Sequence, residues 1–268
     1  MSLAVSLCSP CEVIFVKKGD RIMATCKYTR MLFRFIWQRF KMYDHLLRHY
    51  LYAGRKADQD VITAFHKLYW NAGMHGGTWR NTRWMGVEVW KCPLDLWIYQ
   101  EIIHEVRPDL IIETGTNMGG SALYMAHVLD AMGKGRVLTI DVADYPGMPK
   151  HERIEYFKGS SIDTETIGYV RGQVKSEGTV MVVLDSLHHK DHVLREMELY
   201  AEFVTPGSFL IVEDTDLNGH PIGEPGHPGP KEAIDEFMLR KNCRFDVDAT
   251  RHKFFMTQNQ GGFLRRKH

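Results

Sequence analysis

The sequence lacks any apolar run near the roughly 18 residues that a membrane-spanning helix needs, so we expect no transmembrane segment. It also lacks an excess of charge of either sign. The formal net charge of +1 gives no support to binding of nucleic acid. The start of the chain has no basic segment of the kind that opens a secretory signal. These absences favour a globular protein that we expect to be cytoplasmic.

Cysteine is scarce and scattered along the chain. The five cysteines are Cys8, Cys11, Cys26, Cys92 and Cys243. An odd number at such wide spacing argues against a disulfide framework and is typical of a reducing compartment. Cys8 and Cys11 have the spacing of a metal or redox motif, but no second pair follows, and we favour a loose N-terminal tail.

The most informative stretch joins a strand, a glycine turn and a helix. Leu110-Ile111-Ile112 is a short apolar run typical of a buried parallel strand. Gly115, Gly119 and Gly120 follow as a turn, and 122–129 has a helical pattern. Glycines let the backbone approach a ligand, and a helix N-terminus offers free N–H groups. This order predicts a nucleotide-binding loop.

Strands and helices alternate regularly after this stretch. Further strands are predicted at 137–140, 153–157, 180–184, 208–212 and 244–247, and helices at 93–106, 164–175, 190–203 and 231–239. The segments 254–256 and 262–264 indicate a hairpin-like pair at the end of the chain. Repeated βα units predict an α/β fold with a doubly wound parallel sheet.

An acidic residue ends each of two neighbouring predicted strands, where ligands bind in such sheets. Glu113 stands just before the glycine turn, and it would repel the pyrophosphate of a dinucleotide. The glycine spacing also departs from a dinucleotide motif. Asp141 can accept hydrogen bonds from ribose hydroxyls, and Ser160 and Ser161 would lie near an adenine. A ribose and a positive charge without phosphate describe S-adenosylmethionine.

A second group of acids follows the next two strands. Asp185, Glu213 and Asp214 would lie on one rim of the sheet, where three carboxylates repel one another unless a cation binds. Oxygen ligands suit Mg²⁺, Mn²⁺ or Ca²⁺ better than Zn²⁺. His188, three residues after Asp185, is predicted to act beside the metal as a general base. His188 and His192 could instead share a helix face and bind zinc, but we expect His192 at the surface or at a helix N-terminus.

These residues lie within segments that resemble the cephalosporin hydroxylase-type family of O-methyltransferases, which also contains rhamnosyl O-methyltransferases. The matching segments are 89–97 (VWKCPLDLW), 107–116 (RPDLIIETGT) with GGS at 119–121, 183–188 (VLDSLH), 209–214 (FLIVED) and 229–234 (GPKEAI). The resemblance covers about residues 85–266. It implies methyl transfer from S-adenosylmethionine on a Rossmann-like class I methyltransferase fold, with a seven-stranded, mostly parallel sheet and an antiparallel last strand.

The resemblance also implies roles for individual residues. The cofactor-binding set would be Glu113, Gly115, Thr116, Asn117, Gly119, Ser121, Asp141, Ser160, Ser161 and Asp185. Related metal-dependent sugar methyltransferases place an Asp, a Glu and an Asp where this chain has Asp185, Glu213 and Asp214, and a histidine base where it has His188. Asp185 would therefore serve metal, cofactor and catalysis together.

The N-terminal part resembles nothing as clearly. We expect residues 1–84 to be a helical extension, for oligomerisation or as a substrate lid, and 85–268 to be the catalytic domain. Residues 27–52 predict a basic amphipathic helix, which can lie on an anionic membrane but more simply packs on the domain or on a second subunit. We expect a homo-oligomer.

The acceptor is predicted only as a class, a small molecule or a glycan. Aromatic residues in 61–90 form either a wall of the acceptor pocket or ordinary core. The Gly-, Pro- and His-rich segment 217–230 is a candidate mobile lid. Two other functions stay open at this point: an NAD-dependent oxidoreductase, which Glu113 opposes, and a non-catalytic nucleotide-binding partner protein.

Overall fold

The computed structural model describes residues 13–18, 21–26, 56–72, 77–174 and 178–268. The predicted basic helix at 27–52 and the Cys8–Cys11 pair lie outside these residues. Contacts divide the chain into two compact units, Met1–Val61 and Ile62–His268. Residues 62–84, which the predicted boundary assigns to the extension, therefore belong to the same unit as the sheet. Among the described residues, no helix is both long and apolar enough to cross a membrane.

The first unit contains an antiparallel pair of strands. They are β1 (Val13–Lys18) and β2 (Arg21–Cys26), paired in register from Val13 opposite Cys26 to Lys18 opposite Arg21. A helix, α1 (Lys56–Asn71), begins in this unit and continues into the second.

The second unit contains a seven-stranded sheet covered by helices on both faces. Its elements are β3 (Arg83–Trp84), β4 (Val87–Glu88), α2 (Pro93–Val106), β5 (Leu110–Thr114), α3 (Gly120–Met132), β6 (Arg136–Asp141), β7 (Ile154–Lys158), α4 (Thr164–Gln173), β8 (Val180–Leu184), α5 (Lys190–Tyr200), β9 (Phe209–Val212), α6 (Pro230–Met238), β10 (Phe245–Val247) and β11 (Phe263–Arg266). Strands β3 and β4 form a separate small ribbon.

The strand order of the large sheet is β10-β11-β9-β8-β5-β6-β7. The five strands from β9 to β7 are parallel, and β11 lies antiparallel to β9. The predicted mostly parallel seven-stranded sheet with an antiparallel last strand is confirmed. The chain runs outward from β5 to β7 and then returns to β8 on the other side of β5, so a crevice opens at the carboxyl ends of β5 and β8.

Each strand of the sheet has two buried faces because its side chains alternate. Ile111 and Val183 pack with helices α2 and α3, whereas Ile112 and Val182 pack with α4, α5 and α6. The strands are therefore continuous apolar runs, and only residues at or just past their ends can present charge to the crevice.

One predicted element is wrong. The expected hairpin between 254–256 and 262–264 does not form, because Phe255 adopts a left-handed backbone conformation (φ 66°) and 254–256 forms no strand. Strand β11 pairs instead with β9 and β10, where Phe263 lies opposite Ile211 and Phe245 lies opposite Arg266.

Candidate active site

A cavity of about 810 Å³ opens at the carboxyl ends of the parallel strands. It is lined by Trp70, Trp79, Arg80, Trp90, Gly115, Asn117, Met118, Ile140, Asp141, Val142, Tyr145, Gly159, Ser160, Ser161, Asp185, Ser186, Leu187, His188, His192, Asp214, Leu217 and Gln258. The lining joins the ends of β5, β6, β7, β8 and β9, as expected for a ligand site at a switch in strand order.

Glu113, in β5, is completely buried beneath this cavity. Its Oε2 accepts a hydrogen bond from the Thr139 hydroxyl at 2.8 Å, and Thr139 in turn lies 2.8 Å from the hydroxyl of Thr116. Its Oε1 has no hydrogen-bond partner in the described part of the protein, although Ser121 is near enough to lower the pKa. Burial nevertheless raises the pKa of Glu113 to about 7. An unpaired buried acceptor of this kind is suited to a cationic ligand.

The glycines of the turn are required by close packing of the backbone. Gly115 has φ 90°, and a Cβ there would lie 1.8 Å from the carbonyl oxygen of Asp185. A Cβ on Gly120 would lie 2.0 Å from the carbonyl oxygen of Glu88. Gly119 faces Pro149 and the Tyr156 hydroxyl and does not line the cavity. The glycine spacing, which departs from a dinucleotide motif, therefore fits two close contacts: β5 meets the end of β8 at Gly115, and α3 meets β4 at Gly120.

Asp141 ends β6 and faces the cavity. Its Oδ2 accepts a hydrogen bond from the backbone N–H of Asn117 at 3.1 Å, and its Oδ1 accepts one from that of Ala143 at 3.0 Å. These two bonds fix the carboxylate between the first loop and the end of β6. Ser160 and Ser161, after β7, line the same side of the cavity. Asp141 and the two serines thus meet as the sequence predicts.

His192, on the first turn of α5, also reaches the serine side of the cavity. Its Nε2 lies 3.2 Å from the hydroxyl of Ser161 and 3.1 Å from that of Ser186. The hydroxyl of Ser186 donates to the buried carboxylate of Glu196 at 2.7 Å. His192 is at a helix N-terminus, as predicted, but its spacing from His188 does not produce a zinc pair, because the described residues that cluster around His188 are acids.

Asp185, His188 and Asp214 form the chemical centre of the cavity. One potential ligand atom from each lies within 4.8 Å of the other two. His188 Nε2 is 3.3 Å from both Asp185 Oδ1 and Asp214 Oδ2. Asp214 holds a left-handed conformation (φ 55°), and its N–H donates to Asn259 Oδ1 at 3.2 Å. A non-glycine residue in that conformation is costly, and such residues concentrate at functional sites.

The charges of this centre perturb one another. Burial raises the pKa of Asp214 to about 8. Burial alone would lower the pKa of His188, but the Asp214 carboxylate and the hydrogen bond with Asp185 raise it to about 9. Burial would raise the pKa of Asp185, yet the neighbouring Lys91 ammonium and His188 hold it below its usual range. The centre therefore contains more acid than base, which favours a bound cation.

Glu213 lies below this centre and does not line the cavity. Its Oε1 accepts hydrogen bonds from Lys91 Nζ at 2.7 Å and from the Tyr99 hydroxyl. The same ammonium donates to Asp185 Oδ2 at 2.6 Å. Lys91 was not singled out from the sequence, because a lone lysine before a helix resembles an ordinary surface residue.

A second cluster of potential ligands lies outside the cavity, at His127, Asp130 and His151. Trp84 Nε1 donates to His127 Nδ1 at 2.9 Å, and the Arg153 N–H donates to His151 Nδ1 at 3.2 Å. In each neutral imidazole the remaining nitrogen, Nε2, must then carry the proton. This arrangement explains the contact between His151 Nε2 and Asp130 at 3.0 Å without a metal.

Three tryptophans line one side of the cavity. The rings of Trp70 and Trp79 stack with centroids 4.7 Å apart, and Trp90 meets Trp79 edge-on at 5.5 Å. The guanidinium of Arg80 lies 4.6 Å from the Trp79 ring centre. Trp84 has a different place, packed edge-on against Tyr124 at 4.9 Å. The aromatic stretch 61–90 thus contributes both a pocket wall and core, the two alternatives that the sequence left open.

Comparison with known proteins identifies the family. A sequence model described as Rhamnosyl O-methyltransferase/CmcI matches residues 76–267. Proteins named rhamnosyl O-methyltransferase in Mycobacterium bovis and Mycobacterium tuberculosis are 36% identical over 211 residues, covering 76% of this chain and 84% of the relative. The chain belongs to the rhamnosyl O-methyltransferase/CmcI family. A Mycobacterium leprae protein of the same name is 35% identical over 213 residues, covering 77% of this chain and 91% of its own.

Solved structures of the family share the fold. An apo-structure of CmcI is 21% identical, covers 70% of this chain and 77% of its own, and has a TM-score of 0.54. An Mg-SAM structure of CmcI is 20% identical, with coverages of 70% and 78% and the same TM-score. These findings confirm the family resemblance seen in the sequence and the class of fold.

The family residues predicted from the sequence separate into two layers. Those that line the cavity are Gly115, Asn117, Asp141, Ser160, Ser161, Asp185, His188 and Asp214. Those that lie behind the lining are Glu113, Thr116, Gly119, Ser121 and Glu213. The sequence missed Gln258, whose backbone N–H donates to the buried Asp95 at 2.8 Å and whose side chain reaches the cavity. Its position depends on a contact between residues 163 apart, which no local pattern contains.

Proposed function

We propose that this protein is an S-adenosylmethionine (SAM)-dependent, divalent-metal-dependent O-methyltransferase that methylates a hydroxyl of a sugar-containing acceptor. One observation carries the proposal: a histidine between two carboxylates, Asp185 and Asp214, faces the same cavity as Asp141 and the serines after β7. The relatives are named rhamnosyl O-methyltransferase, so a rhamnosyl group is the first acceptor to test.

The residues on the cofactor side fit SAM. The unpaired Oε1 of Glu113 offers a buried acceptor to the positively charged methionine part. Asp141 ends the next strand, where a carboxylate can bind both ribose hydroxyls. Ser160 and Ser161 lie one strand farther along, where they would contact the adenine. The order of these residues across β5, β6 and β7 thus follows the order of groups along the cofactor.

The residues on the other side fit Mg²⁺ or a similar ion. Asp185 and Asp214 present carboxylate oxygens within 4.8 Å of each other, and Glu213 is the predicted third ligand. A divalent ion bound there would lower the pKa of the acceptor hydroxyl. Hard oxygen ligands and an adjacent histidine match that chemistry better than a zinc site.

His188 is the group that would take the hydroxyl proton. The Asp214 carboxylate and the hydrogen bond with Asp185 raise the pKa of His188 to about 9. Once the two carboxylates are neutralised by a ligand, the cause of this shift is gone and Nε2 can accept a proton. Asp185 then keeps the ring in place through the contact at 3.3 Å.

The tryptophan side of the cavity would hold the acceptor. Trp79 and Trp90 line the same cavity as His188, and the apolar faces of sugars stack on such rings. Leu217, the first residue of the predicted lid segment, also lines the cavity. This segment is held to α6 by Glu232, which lies 2.6 Å from His220 Nε2 and accepts from the Gly229 N–H at 2.7 Å.

Radiolabelled methyl transfer tests the proposal. The protein is incubated with labelled SAM and a panel of rhamnosyl glycosides, with Mg²⁺ or with chelator. We expect labelled product only with Mg²⁺, and none from His188→Ala or Asp185→Asn. His189→Ala is the matched control, because His189 is exposed at the start of α5 and does not line the cavity. Undiminished transfer by Asp185→Asn in chelator would contradict the metal requirement.

Two broader predictions from the sequence complete the proposal. The protein is expected to form a homo-oligomer and to be cytoplasmic, with the N-terminal extension contributing to assembly or to closure over the acceptor. Light scattering after size-exclusion chromatography measures the first directly. A monomer at micromolar concentration would contradict it.

A further inference from the structure

A buried lysine connects two of the acids in the proposed metal centre. Lys91 Nζ lies 2.6 Å from Asp185 Oδ2 and 2.7 Å from Glu213 Oε1, and only 3% of its side chain is exposed. The Tyr99 hydroxyl donates to the same Glu213 oxygen, and the ammonium lies 5.9 Å from the centre of the Tyr99 ring. Asp185 and Glu213 follow two adjacent parallel strands, β8 and β9.

The position of Lys91 is fixed by its backbone. Cys92, the next residue, is fully buried as the N-cap of α2, and its N–H donates to Gln258 Oε1 at 2.7 Å. Pro93 then begins the helix. Only 3% of the lysine side chain is exposed, so its ammonium is neutralised by the acids beside it. A buried ammonium without such partners would be strongly unfavourable.

The lysine uses one oxygen of each carboxylate and leaves the other. On Asp185 it contacts Oδ2, while Oδ1 is the oxygen that lies 3.3 Å from His188. Asp214 Oδ2 lies at the same distance from His188 on the cavity side. The ammonium thus contacts Asp185 through Oδ2, and the other oxygen, Oδ1, faces His188, where the ion is proposed to bind.

We propose that Lys91 is a positioning residue for the divalent ion: it holds the Asp185 and Glu213 carboxylates from behind, so that their remaining oxygens are turned to bind the ion. Without the ammonium, neighbouring carboxylates would repel one another and turn apart or take up protons. This inference rests on the proposed metal-dependent function, and it assigns to the lysine a role in metal affinity separate from substrate contact.

Metal binding itself tests the inference, with Mn²⁺ as the probe. The dissociation constant of Mn²⁺ is measured on the full-length protein by calorimetry and by the loss of the free-ion electron paramagnetic resonance signal, from pH 6 to 9. We expect Lys91→Met to weaken Mn²⁺ binding about tenfold or more at pH 7.5. We also expect the midpoint of its pH dependence to move upward, because protons then compete more strongly for Asp185. Lys91→Arg, which keeps the charge, should recover most of the affinity.

Lys158→Met is the matched control. Like Lys91, Lys158 pairs with an acid, Asp144 at 2.8 Å, but both side chains are more than half exposed and neither lines the cavity. Its substitution should leave Mn²⁺ binding unchanged. Lys91→Gln, which loses the charge but keeps an N–H donor, replaces Lys91→Met if melting curves show that the methionine variant does not fold.

The outcomes separate this inference from the proposed function. If the unmodified protein binds no Mn²⁺, the metal-dependent function fails and the role of Lys91 fails with it. If the unmodified protein binds Mn²⁺ and the uncharged variants bind it equally well with the same pH dependence, only the inference about Lys91 is overturned. Tighter binding by the uncharged variants would also overturn it, since the lysine would then oppose the ion.

Discussion

Substitution of Glu113 by glutamine should have opposite effects on stability and on cofactor binding. Burial raises the pKa of Glu113 from 4.5 to about 7 in the ligand-free protein. Because the folded state holds this proton more tightly than the unfolded state, the stability that the group contributes falls as the pH rises from about 4.5 to 7. A glutamine does not ionise. Glu113→Gln should therefore raise the free energy of unfolding at pH 8 by up to about 3 kcal/mol and give little advantage at pH 4.5.

The same substitution should weaken cofactor binding. A hydrogen bond to a charged group contributes about 1.5–3 kcal/mol, which corresponds to a rise in the Kd of SAM of about 10- to 150-fold. The Thr139 hydroxyl would keep an acceptor in the glutamine, so the local structure should persist. S-adenosylhomocysteine keeps the ammonium of SAM and lacks the sulfonium. An equal loss for both ligands would place Glu113 at the ammonium, whereas a loss for SAM alone would place it at the sulfonium.

Urea unfolding at pH 5 and pH 8 and calorimetric titration with both ligands measure the two effects. Glu155→Gln is the control, because Glu155 is on β7, is partly exposed, and lies outside the cavity lining. A lower free energy of unfolding for Glu113→Gln at pH 8 would refute the account of the buried charge. A SAM dissociation constant within threefold of the unmodified protein would refute the role in binding.

Four other substitutions have clear expected results. Gly115→Ala should lower the free energy of unfolding in urea by about 3 kcal/mol, because the new Cβ overlaps the Asp185 carbonyl at a left-handed residue. Gly147→Ala, with φ 86° and open space around it, should cost only about 1–2 kcal/mol. Asp141→Ala should weaken SAM binding about tenfold by calorimetry while the melting temperature changes little. Trp79→Ala should raise the acceptor KM about tenfold and leave kcat nearly unchanged, provided that the ring contacts the acceptor equally in ground and transition states.

The fold could be predicted because its main signals are local. The apolar runs at β5, β6, β8 and β9 are short, end abruptly in acids and alternate with helical patterns, so the sequence alone predicts a parallel sheet with charged strand ends. The hairpin predicted for 254–256 failed for the opposite reason. Its apolar residues resemble a strand, but the left-handed backbone at Phe255 prevents pairing. Strand β11 pairs with β9 and β10 instead.

The candidate site could likewise be predicted only where its signals are local. Three acids could be located from their apolar strands: Asp141 ends β6, Asp185 directly follows β8, and Asp214 is the second residue after β9. Lys91 and Gln258 could not, because each reaches the site from a segment distant in sequence. The Lys91 contacts join residues 94 and 122 positions apart. Local sequence thus predicts the groups at the strand ends, whereas long-range packing brings Lys91 and Gln258 to them.

Asp214 shows that a sequence can identify a site residue without determining where its side chain points. Its carboxylate is supplied by the sequence at the end of β9, but its direction depends on a left-handed backbone, which is uncommon for a residue other than glycine. Asn259 provides part of that support, since its Oδ1 accepts the Asp214 N–H at 3.2 Å from 45 residues away. The carboxylate faces His188 because the segment before β11 is packed against the end of β9. The chemistry of the strand ends therefore depends on the last antiparallel strand as much as on the parallel strands that carry the acids.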